Sequence, residues 1–523
     1  MSYVGKTFPI PCNRGGLTAN PNIDMIKPTD MIHPSRNLNL HENGRKKRGG
    51  TSRRQHSDYD AAISGTPQMT GMYHFRLVDG TDHIITAGDD GYVYSAHDTT
   101  IDTGMSTTTY FDFETFEDEL YIVDGKTTPQ KWTGTGNTAD VGDIPTDWTG
   151  TNFPQWIVKH GRGASERLWA GGCPSNPEGV YASENGDGDD FSDANVTLIN
   201  VETGDGFGIV GAVEYGDRLL MFGKRKTYII DDLDTNVSNW GYDSSQWEGG
   251  AASFRLICKT PNDVVAMMED GEIYSVTSAE NYGDYKAASL TRPAFIHRWI
   301  KEHVRLSYFN DFHMTYDPVL RAIKIFVVRN GQSTVDTALV YFIDRPPEEA
   351  WMVHSNQSSV SGYSASCSAL IRESAGLFKV YTGDYSGDVW ELETANQNDN
   401  SAAYYGGYKT GNMPFENPRL EKRYKRGFMI TQPEGSYDLV EDWWVDGVTQ
   451  TQRTTSLAGA GGILGAFTLG TSLLGGDEVV DSVFQLGAKG KRIQFEVYNS
   501  SVNEDFFVSQ MLIDYKELGG DPT

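Results

Sequence analysis

Few residues among the 523 have the type and spacing to do chemistry. The densest carboxylate run is Asp187-Gly188-Asp189-Asp190-Phe191-Ser192-Asp193. Calcium uses such oxygens, but the spacing departs from the EF-hand loop, and an Asp-rich turn between strands explains the run as well. His297 and His303 are six apart, which is not the i, i+4 spacing of a helical metal pair. Cys12, Cys173, Cys258 and Cys367 stand far apart and read as four reduced thiols. No GxSxG elbow, P-loop or HExxH occurs, and neither does the Asp-box phrase of sialidase-type propellers. With 71 acidic residues, a glycosidase-like carboxylate pair could be drawn almost anywhere, so it carries no signal. The expectation is a protein with no catalytic residues, no metal and no cofactor.

Two segments point to binding. Arg45, Lys46, Lys47, Arg48, Arg53 and Arg54 lie within ten positions of an otherwise acidic chain. Three roles are open to them: anchoring an arm on an acidic surface of this chain or a neighbour, touching nucleic acid, or sitting in a solvated loop. The second segment, Ser456 to Gly476, is uncharged and contains seven glycines. Its Ile463, Phe467, Leu469, Leu473 and Leu474 suit a channel-facing or tip loop, and a glycine-rich hairpin is the plainer reading.

The scaffold that must position these segments is legible as strands. The chain carries 57 Gly, 27 Tyr, 23 Phe and 11 Trp, which favours short strands and tight turns over helical bundles. An apolar strand, a Gly- or Asp-rich turn and a strand holding Tyr or Trp recur as one phrase. The copies begin at Ile84, Leu120, Leu168, Leu219, Val264, Ile323 and, as the strand holding Val380, Phe378. Such periods suit four-stranded propeller blades. A single small twisted sheet cannot bury both faces, whereas a closed ring of them can. After Thr291-Arg292-Pro293, the spacing of Ile296, Trp299, Ile300 and Val304 predicts one short helix on the rim. The polar run Asn396 to Ser401 reads as a linker, and the alternation of Ile493, Phe495 and Val497 as a half-buried strand.

The predicted fold is therefore all-β: a propeller of about seven irregular blades over residues 61–397, preceded by an extended docking arm over 1–60. A β-sandwich-like domain follows over 398–523. The formal charge of −27 repels nucleic acid, which disfavours DNA coating and is compatible with a wall that DNA slides past.

Three phrases resemble the tail nozzle, or tail-stabilisation, proteins of short-tailed bacteriophages. Near the start they are Asn37-Leu38-Asn39-Leu40, then Glu42-Asn43-Gly44-Arg45 and Arg48-Gly49-Gly50. Near the end is Phe467 to Gly476, followed by Gly490-Lys491-Arg492-Ile493-Gln494-Phe495 and Ile513-Asp514-Tyr515. The degenerate blades between them resemble the family's propeller. The resemblance implies a virion structural subunit without enzymatic activity, made in the host cytoplasm. Its partners would be copies of itself in a ring, as a hexamer, the portal and adaptor ring proteins, and tail fibres or a needle. Genomic DNA would pass through without sequence-specific binding. A propeller that binds or cleaves carbohydrate at a host surface is the competing expectation.

Overall fold

A computed structural model describes residues 5–54, 61–161, 166–232, 234, 236–284, 286, 288–355, 361–373, 376–432, 434–435, 437–457 and 480–518. Strand accounts for 49% and helix for 6%, which makes the protein all-β. Seven small antiparallel sheets follow one another along the chain. Their first strands are Met69–Arg76, Asp112–Phe116, Trp156–His160, Ile209–Tyr215, Ile257–Lys259, His313–Asp317 and Cys367–Arg372. Each first strand packs against the next, and the last meets Met69–Arg76 again, so the row of sheets closes on itself. This is the plan of a β-propeller. The recurring sequence phrase falls on the second strand of each sheet and runs into the third, as in Asp82–Gly88 and Tyr92–Ala96. Among the described residues, six of the sheets have four strands and the fifth has three.

The helix expected after Pro293 is Ile296–His303, between the fifth and sixth sheets. It buries Ile296, Trp299 and Ile300. A second helix, Val276–Tyr282, starts at Ser275, whose hydroxyl accepts the Ser278 N–H, and ends at the left-handed Gly283.

Two larger sheets make up the rest. One joins Leu38–His41, Gly44–Lys47, Phe507–Glu517, Lys422–Gln432 and Val480–Gln485, with Lys6–Pro11 on Phe507–Glu517 and Lys489–Gly490 on Lys422–Gln432. The other joins Met31–Arg36, Gly406–Thr410, Ile493–Asn499 and Asp438–Val445, with the short strands Val448–Thr449 and Arg453–Ser456 at its edge. Side chains from both meet in one core, where Phe484 and Phe495 pack edge to face at 6.3 Å. All four cysteines are buried and unpaired.

The first sixty residues, read from sequence as an extended arm, contribute five strands. The last of them, Gly50–Arg53, pairs with Val389–Thr394 and supplies the outer strand of the seventh sheet. The ring is thus closed by strands from opposite ends of its sequence. The stretch Asn396–Ser401, read as a linker, is held by this strand. Gly50 and Thr51 donate their N–H groups to the Asn396 and Asn398 carbonyls at 2.8 and 3.0 Å. A methyl group on Gly50 would lie 2.0 Å from the Asn398 carbonyl oxygen. Gly50→Ala is therefore expected to lift the closing strand. Hydrogen exchange along Val389–Thr394 should accelerate, and residues 396–401 should become cleavable by protease, while the native chain resists there.

Candidate functional site

The basic run sits at the junction of ring and large sheets. Alternation along Gly44–Lys47 points Arg45 and Lys47 to one side and Lys46 to the other. Arg45 is fully buried, lies over the Tyr408 ring at 4.6 Å and donates to the Arg14 and Thr29 carbonyls. Lys46 pairs with Glu434 and Asp505 at 3.2 and 3.0 Å. Lys47 is buried and donates to Asn499 Oδ1 and to the Ser501 and Glu504 carbonyls. Burial lowers its pKa to about 8. Arg53 pairs with Asp388 at 2.8 Å, and Arg54 lies over Tyr381 at 4.8 Å.

Arg48 is the centre of the junction. Its guanidinium makes a two-pronged pair with Asp399, at 3.0 and 2.7 Å, and its Nε donates to Asn37 Oδ1 at 3.0 Å. Tyr363 and Tyr404 lie over it at 4.5 and 4.1 Å. Beside this pair, Glu393 accepts from Asn39 Nδ2, the Gly49 N–H, Lys324 Nζ and the Tyr363 hydroxyl at 2.9, 2.8, 3.2 and 3.1 Å. Burial alone would raise the Glu393 pKa, but Lys324, His354 and Arg48 hold it at about 2. His354, also buried, falls to about 3, chiefly through desolvation. The cluster ties the N-terminal strands, the sixth and seventh sheets and the 396–401 stretch together.

The basic run is thus paired within its own chain, and Arg45, Lys47 and Arg48 present no exposed surface to a partner. The carboxylates that Lys46, Arg48 and Arg53 meet, Glu434, Asp505, Asp399 and Asp388, belong to the same chain. Lys46 and Arg53 are the half-exposed members. Ile463, Phe467, Leu469, Leu473 and Leu474 lie outside the described residues. The Asp187–Asp193 carboxylates are taken up by turn bonds. Asp189 accepts the Gly142 N–H at 2.6 Å and pairs with Lys131 at 2.5 Å, and Asp193 accepts the Thr146 N–H at 3.0 Å. Among the described residues, no group of three or more His, Cys, Asp or Glu side chains could hold a metal ion.

Two features around the ring axis were not singled out in the sequence. At one mouth is a cavity of about 490 Å³ lined by Tyr110, Phe207, Lys224, Arg255, Phe309 and Asp311, among others. The Tyr110 hydroxyl donates to Asp311 at 2.8 Å, and Arg255 stacks on Tyr110 at 3.6 Å. Further in, Asp112 and Glu114 staple the second sheet to the third. Asp112 accepts the Ile157 N–H at 2.9 Å, and Glu114 accepts the Lys159 N–H at 3.4 Å. Burial raises both carboxyls to about 7. Their alternation on an innermost strand is a signal, but sequence alone does not say which strands are innermost.

A carboxyl raised on folding binds its proton more tightly in the folded chain. Its contribution is fully present below the unfolded pKa, about 4, and is lost as pH rises through about 7. Stability should fall across that window by an amount on the order of a few kcal/mol. Asp112→Asn combined with Glu114→Gln should flatten the fall in denaturant titrations at pH 5 and pH 8. An unchanged slope would mean that these groups titrate normally.

No protein-family model matches the chain, and no curated protein does. Among solved structures, the chain is similar to BBS1N in complex with ARL6DN, at 11% identity over 66% of this chain and 98% of that one, with a TM-score of 0.41. It is similar to YCF48 from Cyanidioschyzon merolae, at 11% identity over 66% and 99%, TM-score 0.37. An exo-β-1,3-galactanase from Phanerochaete chrysosporium matches at 9% identity over 87% and 99%, TM-score 0.26. Likenesses at these scores carry no argument about activity.

Proposed function

We propose that this chain is a non-enzymatic virion structural protein, a tail nozzle subunit. In this reading it forms a ring below the portal and adaptor, closes the tail and guides DNA during ejection. The seven closed sheets are then seven propeller blades, and the two large sheets are a β-sandwich that carries contacts to neighbouring copies. The sequence phrases from Asn37 to Gly50 and from Gly490 to Tyr515 support the reading, as does the charge of −27, which suits a wall past which DNA slides.

The make-up of the mouth cavity supports the non-enzymatic part, and in a larger recess of about 690 Å³ the two carboxylates, Asp102 and Asp140, are already engaged by the Thr138 hydroxyl and the Gln130 amide. Glycoside cleavage uses two carboxyl groups flanking the scissile bond. Among its described lining residues the mouth cavity has one carboxylate, Asp311, and the Tyr110 hydroxyl already occupies it. Its tryptophan, Trp156, is buried and donates its indole N–H to the Ile209 carbonyl, so it offers no open sugar platform. Particles assembled without this chain are expected to fill with DNA and then leak it, as scored by nuclease-sensitive DNA in purified capsids. Capsids that retain their DNA without the chain would remove the closing role.

A further inference from the structure

We infer that the recess between strand Met31–Arg36 and helix Ile296–His303 binds a small tetrahedral oxyanion of the phosphate or sulfate class. The recess has a volume of about 320 Å³ and is lined by His33, Arg36, Trp299, His303, Arg329 and Ser355, among others. That is room for one such ion and several waters, at roughly 30 Å³ per water.

The chemistry of the lining is donor-rich on a chain that is otherwise acidic. Arg36 is half-buried against the Tyr405 ring at 5.0 Å, and its buried Nε has no hydrogen-bond partner among the described residues. The neighbouring carboxylate Glu496 is already engaged by Lys409 at 3.4 Å and the Tyr405 hydroxyl at 2.9 Å. Arg329 binds Asp336 through a single oxygen, Oδ2. The His33 and His303 rings lie 4.5 Å apart, and His303 Nδ1 is 3.1 Å from the Trp299 carbonyl, which leaves its Nε2 for another partner. Trp299 Nε1 and Ser355 Oγ are buried without partners among the described residues. Against these donors the described lining offers one carboxylate, the exposed Glu302.

Electrostatics agrees with the geometry. The His33 pKa is lowered by burial first and then by His303, Arg36 and Arg329, with Glu302 acting the other way. His33 therefore senses the charges of Arg36 and Arg329, and an oxyanion in the recess would take two or more donors from Arg36. The site does not depend on the ring-subunit reading.

Isothermal titration calorimetry of the full chain with inorganic phosphate, at constant ionic strength and with chloride as control, tests the assignment. Saturable one-to-one binding is expected, weakened at least tenfold by Arg36→Gln. In histidine NMR titrations, phosphate should raise the His33 pKa. A second variant, Glu302→Gln, changes only an exposed side chain and should tighten phosphate binding. Competition by a dithymidine phosphodiester would trace the oxyanion to a nucleic-acid backbone, and its failure to compete would trace it to the free ion. Either result keeps the site. Absence of saturable binding, or equal affinity in the native chain, Arg36→Gln and Glu302→Gln, overturns it.

Discussion

Deletion of residues 1–54 is expected to leave no soluble folded protein. The segment supplies Lys6–Pro11, Leu38–His41 and Gly44–Lys47 to one large sheet, Met31–Arg36 to the other, and Gly50–Arg53 to the seventh small sheet. Its removal unpairs three sheets at once. It also strips Asp399 of Arg48, and Glu393 of two of its donors, Asn39 Nδ2 and the Gly49 N–H. Leaving one buried charge without its partner costs about 3–5 kcal/mol. A domain has about 5–15 kcal/mol in total, so the truncated chain lacks the margin to fold. Supplying residues 5–54 as a co-expressed peptide should restore soluble protein. A soluble 55–523 chain with the circular dichroism of the full chain would show that the segment is a dispensable arm.

The second large effect is expected at Arg48. Arg48→Ala should lower the unfolding free energy by about 3–5 kcal/mol, because Asp399 is then buried and unpaired. Asp399→Ala should cost a similar amount by stranding Arg48. The double variant should lose clearly less than the sum, since no lone charge is left. Arg48→Lys should rescue little. An ammonium cannot make the two-pronged contact with Asp399, and it stacks poorly between Tyr363 and Tyr404. Guanidinium titrations followed by tryptophan fluorescence give all four values. Losses that simply add would mean that the two side chains act separately.

The small sheets were legible because their pairing is local. Phrases such as Ile84 to Tyr94 hold two strands and the intervening turn within a dozen residues, and Gly91 takes the positive φ that the turn needs. The N-terminal strands were hidden by their prolines and by the distance of their partners. Among the described strands, the one holding Pro9 and Pro11 pairs with Phe507–Glu517, and the one holding Pro34 pairs with Gly406–Thr410 and makes a single bridge from Met31 to Leu17. Edge strands tolerate proline because one side of the backbone needs no donor. Partners some five hundred residues away leave no periodic trace. The basic run was visible as a cluster, but its destination was not. Burial of Arg48 depends on Asp399, Tyr363 and Tyr404, which the ring brings together from distant sequence. The polar stretch holding Asp399 has the composition of a linker, and its pairing with Gly50 and Thr51, the Asn503 N–H on the Gln397 carbonyl and the Arg48–Asp399 pair mark it as structure.

The central claim is that this chain is a ring-forming structural subunit. The most direct measurement is the solution mass of the purified protein, alone and mixed with a candidate adaptor ring, by native mass spectrometry. The adaptor is expected to recruit copies of the 57.9 kDa chain in a fixed number, six, with no intermediate occupancy persisting at saturation. A chain that stays monomeric beside every adaptor ring tested, and that releases sugars from host-surface glycans, would contradict the central claim.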